Sequence, residues 1–273
     1  MVEKQRVLIT GASAGLGEGF ARAYAARGAD VVLVARDMAR LKALAGELEA
    51  SHGICAHAMS VDLLEAGAVE RLVLNLEEAG LEITRLVNNA GFGLNGAFLE
   101  LDGSGQARMI DLNCRVPMEL AHALAPAMVA RGEGGILNVS SIAAFQPGPW
   151  MAVYYASKAF LLSFSEALHH ELLGSGVRVS ALCPGPTRTE FFARAHMEEG
   201  FLFRHLAGDR DSVVADGIAA LEANRAVKVS GALNAVMASS MRITPRPLAR
   251  RLAAALQQPA ARKNEATKKL PAE

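Results

Sequence analysis

The sequence predicts an α/β fold, a doubly wound parallel sheet with helices on both of its faces. Short runs of β-branched and other apolar residues alternate with longer amphipathic stretches over the first two-thirds of the chain. The short runs are apolar on both faces, which is typical of parallel strands covered by helices on either side. A glycine-rich turn follows the first run directly. Right-handed crossovers between such strands generate the doubly wound arrangement.

The strands and helices can be placed in chain order from the spacing of apolar residues and from the glycines between them. Strands are predicted at 6–10, 31–35, 54–61, 84–88, 135–140 and 177–182. Helices are predicted between them at 16–27, 38–50, 65–79, 105–131 and 152–173. Beyond them we expect a helix at 211–225, an edge strand at 226–229 and an amphipathic basic helix at 246–256. We expect these elements to form one domain, residues 1–263, with a substrate lid at about 188–210 and a disordered tail at 264–273.

Composition and charge narrow the class of protein. The 273 residues carry 28 basic and 28 acidic side chains, so the chain offers no basic surface for nucleic acid. It has no unbroken apolar stretch of roughly 18 residues, the length that a membrane-spanning helix needs. The first residues enter an apolar strand without the layout of a signal peptide, and the three cysteines show neither metal nor CxxC spacing. We therefore expect a cytoplasmic protein that needs no metal.

The turn after the first strand has the composition of a phosphate-binding loop. Residues 10–17 read TGASAGLG, with glycines in the spacing GxxxGxG before a predicted helix. Glycines let the backbone approach a pyrophosphate, and a helix N-terminus supplies free N–H groups and a positive dipole end. An ordinary turn is the alternative, which the position on the first strand of an α/β chain disfavours. The predicted cofactor-binding residues of this turn are Gly11, Ser13, Gly15, Leu16 and Gly17.

The end of the second predicted strand indicates which cofactor is used. Enzymes that prefer NAD usually place an acidic residue there, which accepts a hydrogen bond from the ribose 2′-hydroxyl. This chain has Ala35 followed by Arg36, whose planar cation suits a 2′-phosphate. A solvated surface arginine is the alternative, but the missing acid favours NADP(H) over NAD(H). Asp62, after the third strand, is expected to accept from the adenine amino group, to cap the next helix, or both.

Hydroxyl groups in the middle of the chain are candidates for proton chemistry. Tyr154 and Lys158 are four residues apart in a predicted helix and share one face of it. A free tyrosine has a pKa of roughly 10, and a neighbouring ammonium group lowers that pKa by stabilising the phenolate. Ser140 and Ser141 follow a predicted strand at the edge where open α/β sheets bind ligands. A hydroxyl there could hold a substrate oxygen, with turn formation as the alternative.

Together these segments resemble the one-domain branch of the short-chain dehydrogenase/reductase family, which has the dinucleotide-binding Rossmann fold. The matching motifs occur in the family's order and at its spacing, from residue 5 to about 192. They are TGASAGLG at 10–17, NNAG at 88–91, Asn113 in the long fourth helix, NVSS at 138–141, YYASK at 154–158 and PGPTRTEF at 184–191. The resemblance implies an oxidoreductase that interconverts a ketone or aldehyde and an alcohol by hydride transfer.

The resemblance also implies a role for each matching residue. Tyr154 would be the catalytic acid for reduction, and Lys158 would lower its pKa and hold the ribose hydroxyls of the nicotinamide end. The family's serine lies thirteen residues before its tyrosine, which selects Ser141 over Ser140. Asn113 would keep a water molecule in a proton relay. The cofactor would be contacted by Tyr154, Lys158, Asn89, Pro184, Gly185, Thr187 and Thr189.

Pro117 gives a physical reason to expect an irregular helix at Asn113. A proline inside a helix offers no N–H to the carbonyl four residues back, which here is that of Asn113. We therefore expect a kink at this position.

The residues expected to cover the substrate are strongly apolar. They are Phe191, Phe192, Met197, Phe201, Leu202 and Phe203 in the lid, with Phe145 and Trp150 between Ser141 and Tyr154. If they face the cleft, they favour a bulky apolar substrate. Packing of the same side chains into the core is the alternative.

Three functions follow from these observations. The favoured one is an NADP(H)-dependent oxidoreductase acting on an apolar carbonyl or alcohol. An NAD-linked secondary-alcohol dehydrogenase would use the same fold, but Arg36 disfavours it. A protein that senses NADP(H) without turnover would have no physical need for Ser141, Tyr154 and Lys158 together.

The surfaces of the chain imply few macromolecular partners. The helix at 246–256 could contact a membrane surface or a second subunit, but a solvated face is favoured. The resemblance implies a homodimer or homotetramer, paired through the long fourth helix and the fifth helix.

Overall fold

A seven-stranded parallel sheet forms the centre of the protein. The computed structural model describes residues 5–187 and 208–257. The strands are β1 (Arg6–Thr10), β2 (Asp30–Ala35), β3 (Ala56–Ser60), β4 (Arg85–Asn88), β5 (Gly134–Val139), β6 (Val177–Cys183) and β7 (Val227–Val229). They are ordered β3-β2-β1-β4-β5-β6-β7, and every neighbouring pair is parallel. This arrangement confirms the predicted doubly wound fold.

Helices cover both faces of the sheet. They are α1 (Gly15–Ala25), α2 (Met38–His52), α3 (Ala68–Glu78), α4 (Gly103–Ile110), α5 (Val116–Arg131), α6 (Ala152–Glu171), α7 (Arg210–Glu222), α8 (Ala232–Ile243) and α9 (Arg246–Gln257). Most bounds lie within three residues of the prediction, but α8 was not predicted. None of the helices within the described ranges is long and apolar enough to cross a membrane.

The core has two layers because neighbouring strand residues point to opposite faces of the sheet. Val7 and Ile9 of β1 pack with Phe20 on the side of α1, α2 and α7. Leu8, between them, packs on the other side with residues of α3 and α5 such as Leu120. All five of these side chains are fully buried. Alternation within apolar strands thus anchors helices on both faces and fixes the positions of the strand ends.

The predicted long helix at 105–131 is present as a continuous helical stretch, in which a π-helical segment, Asp111–Arg115, divides α4 from α5. Here the N–H of Val116 donates to the carbonyl of Asp111, five residues back. Pro117 follows immediately and has no N–H to donate to Asn113. The expected irregularity is therefore present, as a π-helical turn at the residue that the motifs single out. Such turns occur frequently at functional sites.

Candidate active site

A cavity of about 980 Å³ lies at the carboxyl ends of the strands, beside the point between β1 and β4 where the strand order reverses. This edge is where doubly wound sheets bind ligands. The structure brings most predicted site residues to its wall: Gly11, Ser13, Gly15, Leu16, Arg36, Asp62, Asn89, Ser141, Tyr154, Lys158, Pro184, Gly185 and Thr187. Gly17 and Asn113 lie behind the wall. Thr189 and the six apolar lid residues lie outside the described residues.

The glycine-rich turn is tightly packed and ends in an uncapped helix. Gly11 has a φ of +67°, in the left-handed region that favours glycine. A Cβ on Gly17 would lie 2.2 Å from the carbonyl oxygen of Gly11, so only glycine fits there. Helix α1 begins without a side-chain hydrogen bond from its N-cap residue, Ala14. The first N–H groups of α1 are therefore available to an anion at the cavity wall.

Asn89 joins this turn to the end of β4. Its side-chain amide donates to the carbonyl of Thr10 over 2.9 Å, and its backbone N–H donates to the Thr10 hydroxyl over 3.0 Å. The same amide approaches the carbonyl of Gly11 at 3.4 Å. Asn89 thereby fixes the distance between the two loops that face each other across the cavity.

The end of β2 presents two arginines to the cavity. Arg36 and Arg40 both line it, together with Asp37. The Asp37 carboxylate is engaged as the N-cap of α2, where it accepts from the Arg40 N–H over 3.0 Å. The Arg36 guanidinium forms no ion pair within the described part of the chain. Sequence reasoning missed Arg40, which lies in the first turn of α2, just after the end of β2.

Asp62 lines the cavity but does not cap the next helix. Its carboxylate accepts from the N–H of Leu64 over 3.0 Å and closes a local turn. Helix α3 begins later, at Ala68, with Gly67 as its N-cap residue. The prediction of a cap at Asp62 was therefore wrong, because the chain makes an extra turn before α3.

Tyr154 and Ser141 meet at the cavity wall. Tyr154 lies in the first turn of α6, and Ser141 follows the end of β5. Burial raises the pKa of Tyr154 above its ordinary value, and a hydrogen bond with the Ser141 side chain opposes this rise in pKa. The Ser141 hydroxyl also accepts from the N–H of Ala143 over 3.1 Å, which fixes its orientation.

Lys158 is buried one turn further along α6. Its ammonium nitrogen lies 5.8 Å from the centre of the Tyr154 ring and donates to the carbonyl of Val139 over 2.9 Å. Burial lowers the pKa of Lys158 to about 8. We expected Lys158 to lower the pKa of Tyr154; in the structure the lowering comes from Ser141 and is outweighed by burial. The structure thus brings together Ser141, Tyr154 and Lys158, the three side chains that the sequence analysis singled out.

The Asn113 side chain holds the loop after β4 against α6. Its amide donates to the carbonyl of Phe92 and to the hydroxyl of Ser157, both over 3.0 Å. Its carbonyl oxygen accepts from the N–H of Phe92 over 3.2 Å. The Asn113 side chain is therefore fully engaged, and Pro117 offers no N–H to the main-chain carbonyl of Asn113.

Comparison with known proteins agrees with this geometry. The family model described as short chain dehydrogenase matches residues 5–200. The chain belongs to the short-chain dehydrogenase family. It is therefore an NAD(P)-dependent oxidoreductase that acts on CH–OH groups.

Similar proteins of this family are known in sequence and in structure. The chain is 41% identical over 187 residues to sulfoacetaldehyde reductase from Chromohalobacter salexigens, covering 68% of this chain and 73% of that protein. A short-chain dehydrogenase from Sphingobium yanoikuyae in complex with NADPH superimposes with a TM-score of 0.79 at 32% identity, covering 98% of this chain and 97% of that one. The bulky-bulky ketone specific alcohol dehydrogenase from Comamonas testosteroni superimposes with a TM-score of 0.74 at 30% identity, covering 88% and 92%.

Two aromatic residues that were expected to face the substrate do not line the cavity of this short-chain dehydrogenase. Phe145 packs with Leu162, Ala181 and Cys183 in a buried cluster, so it does not face the cavity. Trp150 is also absent from the cavity wall; its carbonyl accepts from the N–H of Gly96 over 2.8 Å and joins two loops. The cavity wall contains further residues that the sequence analysis did not single out: Phe92, Leu94, Arg108, Ile142, Ala143, Gln146, Met151, Met237 and Ala253.

Replacing Lys158 with methionine is expected to remove a pH-dependent part of the free energy of unfolding. The folded pKa of about 8 lies below the value of roughly 10.4 for an exposed lysine. Between these values the unfolded chain binds more protons, so the stability of the wild type rises with pH. The rise amounts to about 2 kcal/mol between pH 8 and pH 10, and the variant lacks it.

Urea unfolding of both proteins across this pH range measures the difference. Lys42→Met, at an exposed position of α2, is the matched control and should keep the wild-type rise. If the free energy of unfolding of wild type and of Lys158→Met rises equally with pH, the lowered pKa of the buried Lys158 is contradicted.

Proposed function

We propose that the protein uses NADP(H) to interconvert a ketone or aldehyde and an alcohol, with Tyr154 as the proton donor for reduction. The observation that carries this proposal is the cluster of Ser141, Tyr154 and Lys158 at the wall of the cavity. The pieces that make up the cluster come from the end of β5 and the start of α6. An NADP(H) sensor without turnover has no use for such a cluster.

The residues around the cavity fit a nicotinamide cofactor. The uncapped start of α1 and the close approach of Gly17 to Gly11 provide a backbone cradle for a pyrophosphate. The turn Pro184–Thr187 also lines the cavity and would hold the nicotinamide. We extend the same proposal to Thr189. When bound, the cofactor supplies the hydride.

Tyr154 acts as a general acid on the substrate oxygen. Burial keeps the phenol protonated, so its hydroxyl is ready to donate as negative charge develops on that oxygen. Ser141, which is hydrogen-bonded to Tyr154, holds the same oxygen. The ammonium of Lys158 stabilises the phenolate that remains after the proton has left. In the oxidation of an alcohol the same groups work in reverse.

The proton is replaced through the buried groups behind Tyr154. A Cβ on Gly91 would lie 2.8 Å from the Asn113 amide oxygen and 3.6 Å from the Lys158 ammonium, so these residues converge at one point. We propose that a water on the main-chain carbonyl of Asn113 connects Lys158 to solvent. The π-helical turn supports this role because it leaves that carbonyl without the usual helical donor.

Arg36 and Arg40 provide the preference for NADP(H). Both guanidinium groups line the cavity at the end of β2, where the 2′-phosphate of the adenosine would lie. The Asp37 carboxylate in the same wall caps α2 and lies 3.6 Å from the Arg40 Nε, so it is already engaged. The NADPH complex of the Sphingobium yanoikuyae relative supports the same preference.

Arg36→Ala is expected to weaken NADPH binding by a factor of about 10 to 100, since it removes a charge-assisted hydrogen bond. The Kd of NADH should change by less than about twofold. Fluorescence titration with both cofactors measures the effect, and Arg27→Ala, at an exposed arginine away from the cavity, is the control. Equal losses for the two cofactors would support the NAD-linked alternative.

The substrate that the cavity favours is bulky and apolar. Phe92, Leu94, Ile142, Ala143 and Met151 line its outer part. The resemblance to the bulky-bulky ketone specific alcohol dehydrogenase from Comamonas testosteroni points the same way. Small carbonyl compounds would leave much of this apolar wall in contact with water, which costs binding free energy.

A small anionic aldehyde is the second candidate substrate. Arg108 lines the cavity, and its guanidinium forms no ion pair among residues 5–187 and 208–257. The relative from Chromohalobacter salexigens is a sulfoacetaldehyde reductase. Parallel assays with a hydrophobic ketone and with sulfoacetaldehyde separate the two candidates, and Arg108→Ala should impair only the anionic one.

We further propose that the protein forms a homodimer or homotetramer through the helices α4–α5 and α6. Large apolar side chains on these helices are exposed, namely Ile110, Met118 and Phe160. Burying such side chains in a subunit interface removes apolar surface from water.

A further inference from the structure

The last two helices reach the cavity although they lie beyond the shared part of the family. The family model ends at residue 200, whereas Met237 of α8 and Ala253 of α9 line the cavity. The catalytic cluster and the proposed cofactor contacts all precede that boundary. Met237 and Ala253 therefore belong to a part of the wall that takes no part in the proposed proton transfer or cofactor binding.

Helix α8 is held against the turn after β6 by a buried asparagine. The Asn234 amide donates to the carbonyl of Ser230 over 2.8 Å. A Cβ on Gly185 would lie 2.4 Å from the Asn234 amide nitrogen, so the side chain packs directly on this glycine. Met237 follows Asn234 by three residues, and α8 also packs against the segment Ile142–Phe145 behind Ser141. Met237 therefore lies at the substrate end of the cavity.

Helix α9 contributes a small residue where a larger one would fill the cavity. Ala249 and Ala253, one turn apart, are both buried, and Ala253 lines the cavity. Their neighbours on the same helix, Leu248 and Leu252, are half exposed. These two leucines thus point away from the cavity, and an alanine leaves room at the wall.

We propose that α8 and α9 form the wall that sets substrate size, with Met237 and Ala253 as its specificity-determining residues. This inference rests on the proposed carbonyl–alcohol chemistry of the same cavity. Ala253 gives space to the apolar group of a long or bulky ketone, and Met237 limits the space from the side of α8. The flexible thioether side chain of Met237 adapts to apolar groups of different shape.

The test uses a series of methyl ketones from 2-butanone to 2-dodecanone. Ketone affinity is measured by calorimetry on the NADPH complexes of proteins that also carry Tyr154→Phe, so that binding is observed without turnover. Ala253→Leu should weaken binding of 2-dodecanone at least tenfold and leave the affinity for 2-butanone within twofold. Met237→Ala should have the opposite effect and extend the range to bulkier ketones. Ala255→Leu, the same change at an exposed position of α9, is the matched control.

The outcomes separate this inference from the proposed function. If Ala253→Leu binds long ketones as tightly as the control, or weakens all ketones and NADPH alike, the size-setting wall is wrong. If Ala253→Leu does not fold, Met237→Ala decides alone: an unchanged preference for chain length would overturn the proposal. If ketone binding depends on Ala253 as expected but the protein with Tyr154 intact reduces no ketone, the wall stands and the proposed reaction fails.

Discussion

Tyr154→Phe is expected to lower kcat for carbonyl reduction by a factor of about 10³, within the 10²–10⁴ range of a positioned general acid. Phenylalanine keeps the buried ring and its packing, but it has no proton for the developing alkoxide. The effect is a loss in the chemical step, so the Kd of NADPH should change by less than about threefold. Steady-state kinetics and cofactor titration of the purified variant measure both quantities.

The neighbouring tyrosine provides the control for this experiment. Tyr155 is also buried, its ring lies 6.1 Å from that of Tyr154, and it lines the same cavity. Tyr155→Phe removes the same atom from the next position of α6 and should keep most of the activity. A Tyr154→Phe protein with more than about a tenth of wild-type kcat would show that another group supplies the proton.

Gly17→Ala is expected to weaken NADPH binding at least about 100-fold. The added Cβ would lie 2.2 Å from the Gly11 carbonyl oxygen and 2.6 Å from the Asn89 amide nitrogen. Backbone atoms cannot yield as a flexible side chain can, so the turn must move away from α1. That movement separates the glycine-rich turn from the loop after β4, which Asn89 joins to it. Both segments line the cavity in which the cofactor is proposed to bind.

Gly46 provides a matched control for the Gly17→Ala variant. Gly46 lies inside α2, and a Cβ there would meet no atom within 4 Å. Gly46→Ala should leave the Kd of NADPH unchanged and stabilise the protein by roughly 0.5–1 kcal/mol. Thermal unfolding of both variants shows whether Gly17→Ala remains folded. Wild-type affinity in a folded Gly17→Ala protein would mean that the cofactor does not use this turn.

The strands and most helices could be predicted, because the spacing of apolar residues along a short segment determines them. The strands are short apolar runs, and the doubly wound arrangement with helices on both faces follows from right-handed crossovers. Helix α8 escaped prediction because ALNAVMASSMRI mixes small, apolar and hydroxyl residues without a charged face. The break at 111–115 was expected from Pro117, but its form as a π-helical turn depends on packing that the sequence does not display.

The candidate site divides in the same way. Motifs with fixed spacing identified Ser141, which follows β5, and Tyr154 and Lys158, which lie one turn apart in α6. The pKa of Tyr154 could not be predicted, because burial is a property of the assembled cavity and outweighs the nearby Ser141. The positions of Met237 and Ala253 could not be predicted either. Both are far from Tyr154 along the chain, and no sequence pattern indicates that they line the same cavity.

The most direct test of the proposed function follows NADPH consumption and alcohol formation together, over a panel of hydrophobic ketones and small aldehydes. We predict one alcohol formed for each NADPH consumed, with hydrophobic ketones as the better substrates and NADH as the poorer cofactor. Tight binding of NADPH without reduction of any carbonyl, or oxidation of any alcohol in the reverse assay, would contradict the proposal and favour an NADP(H)-sensing protein.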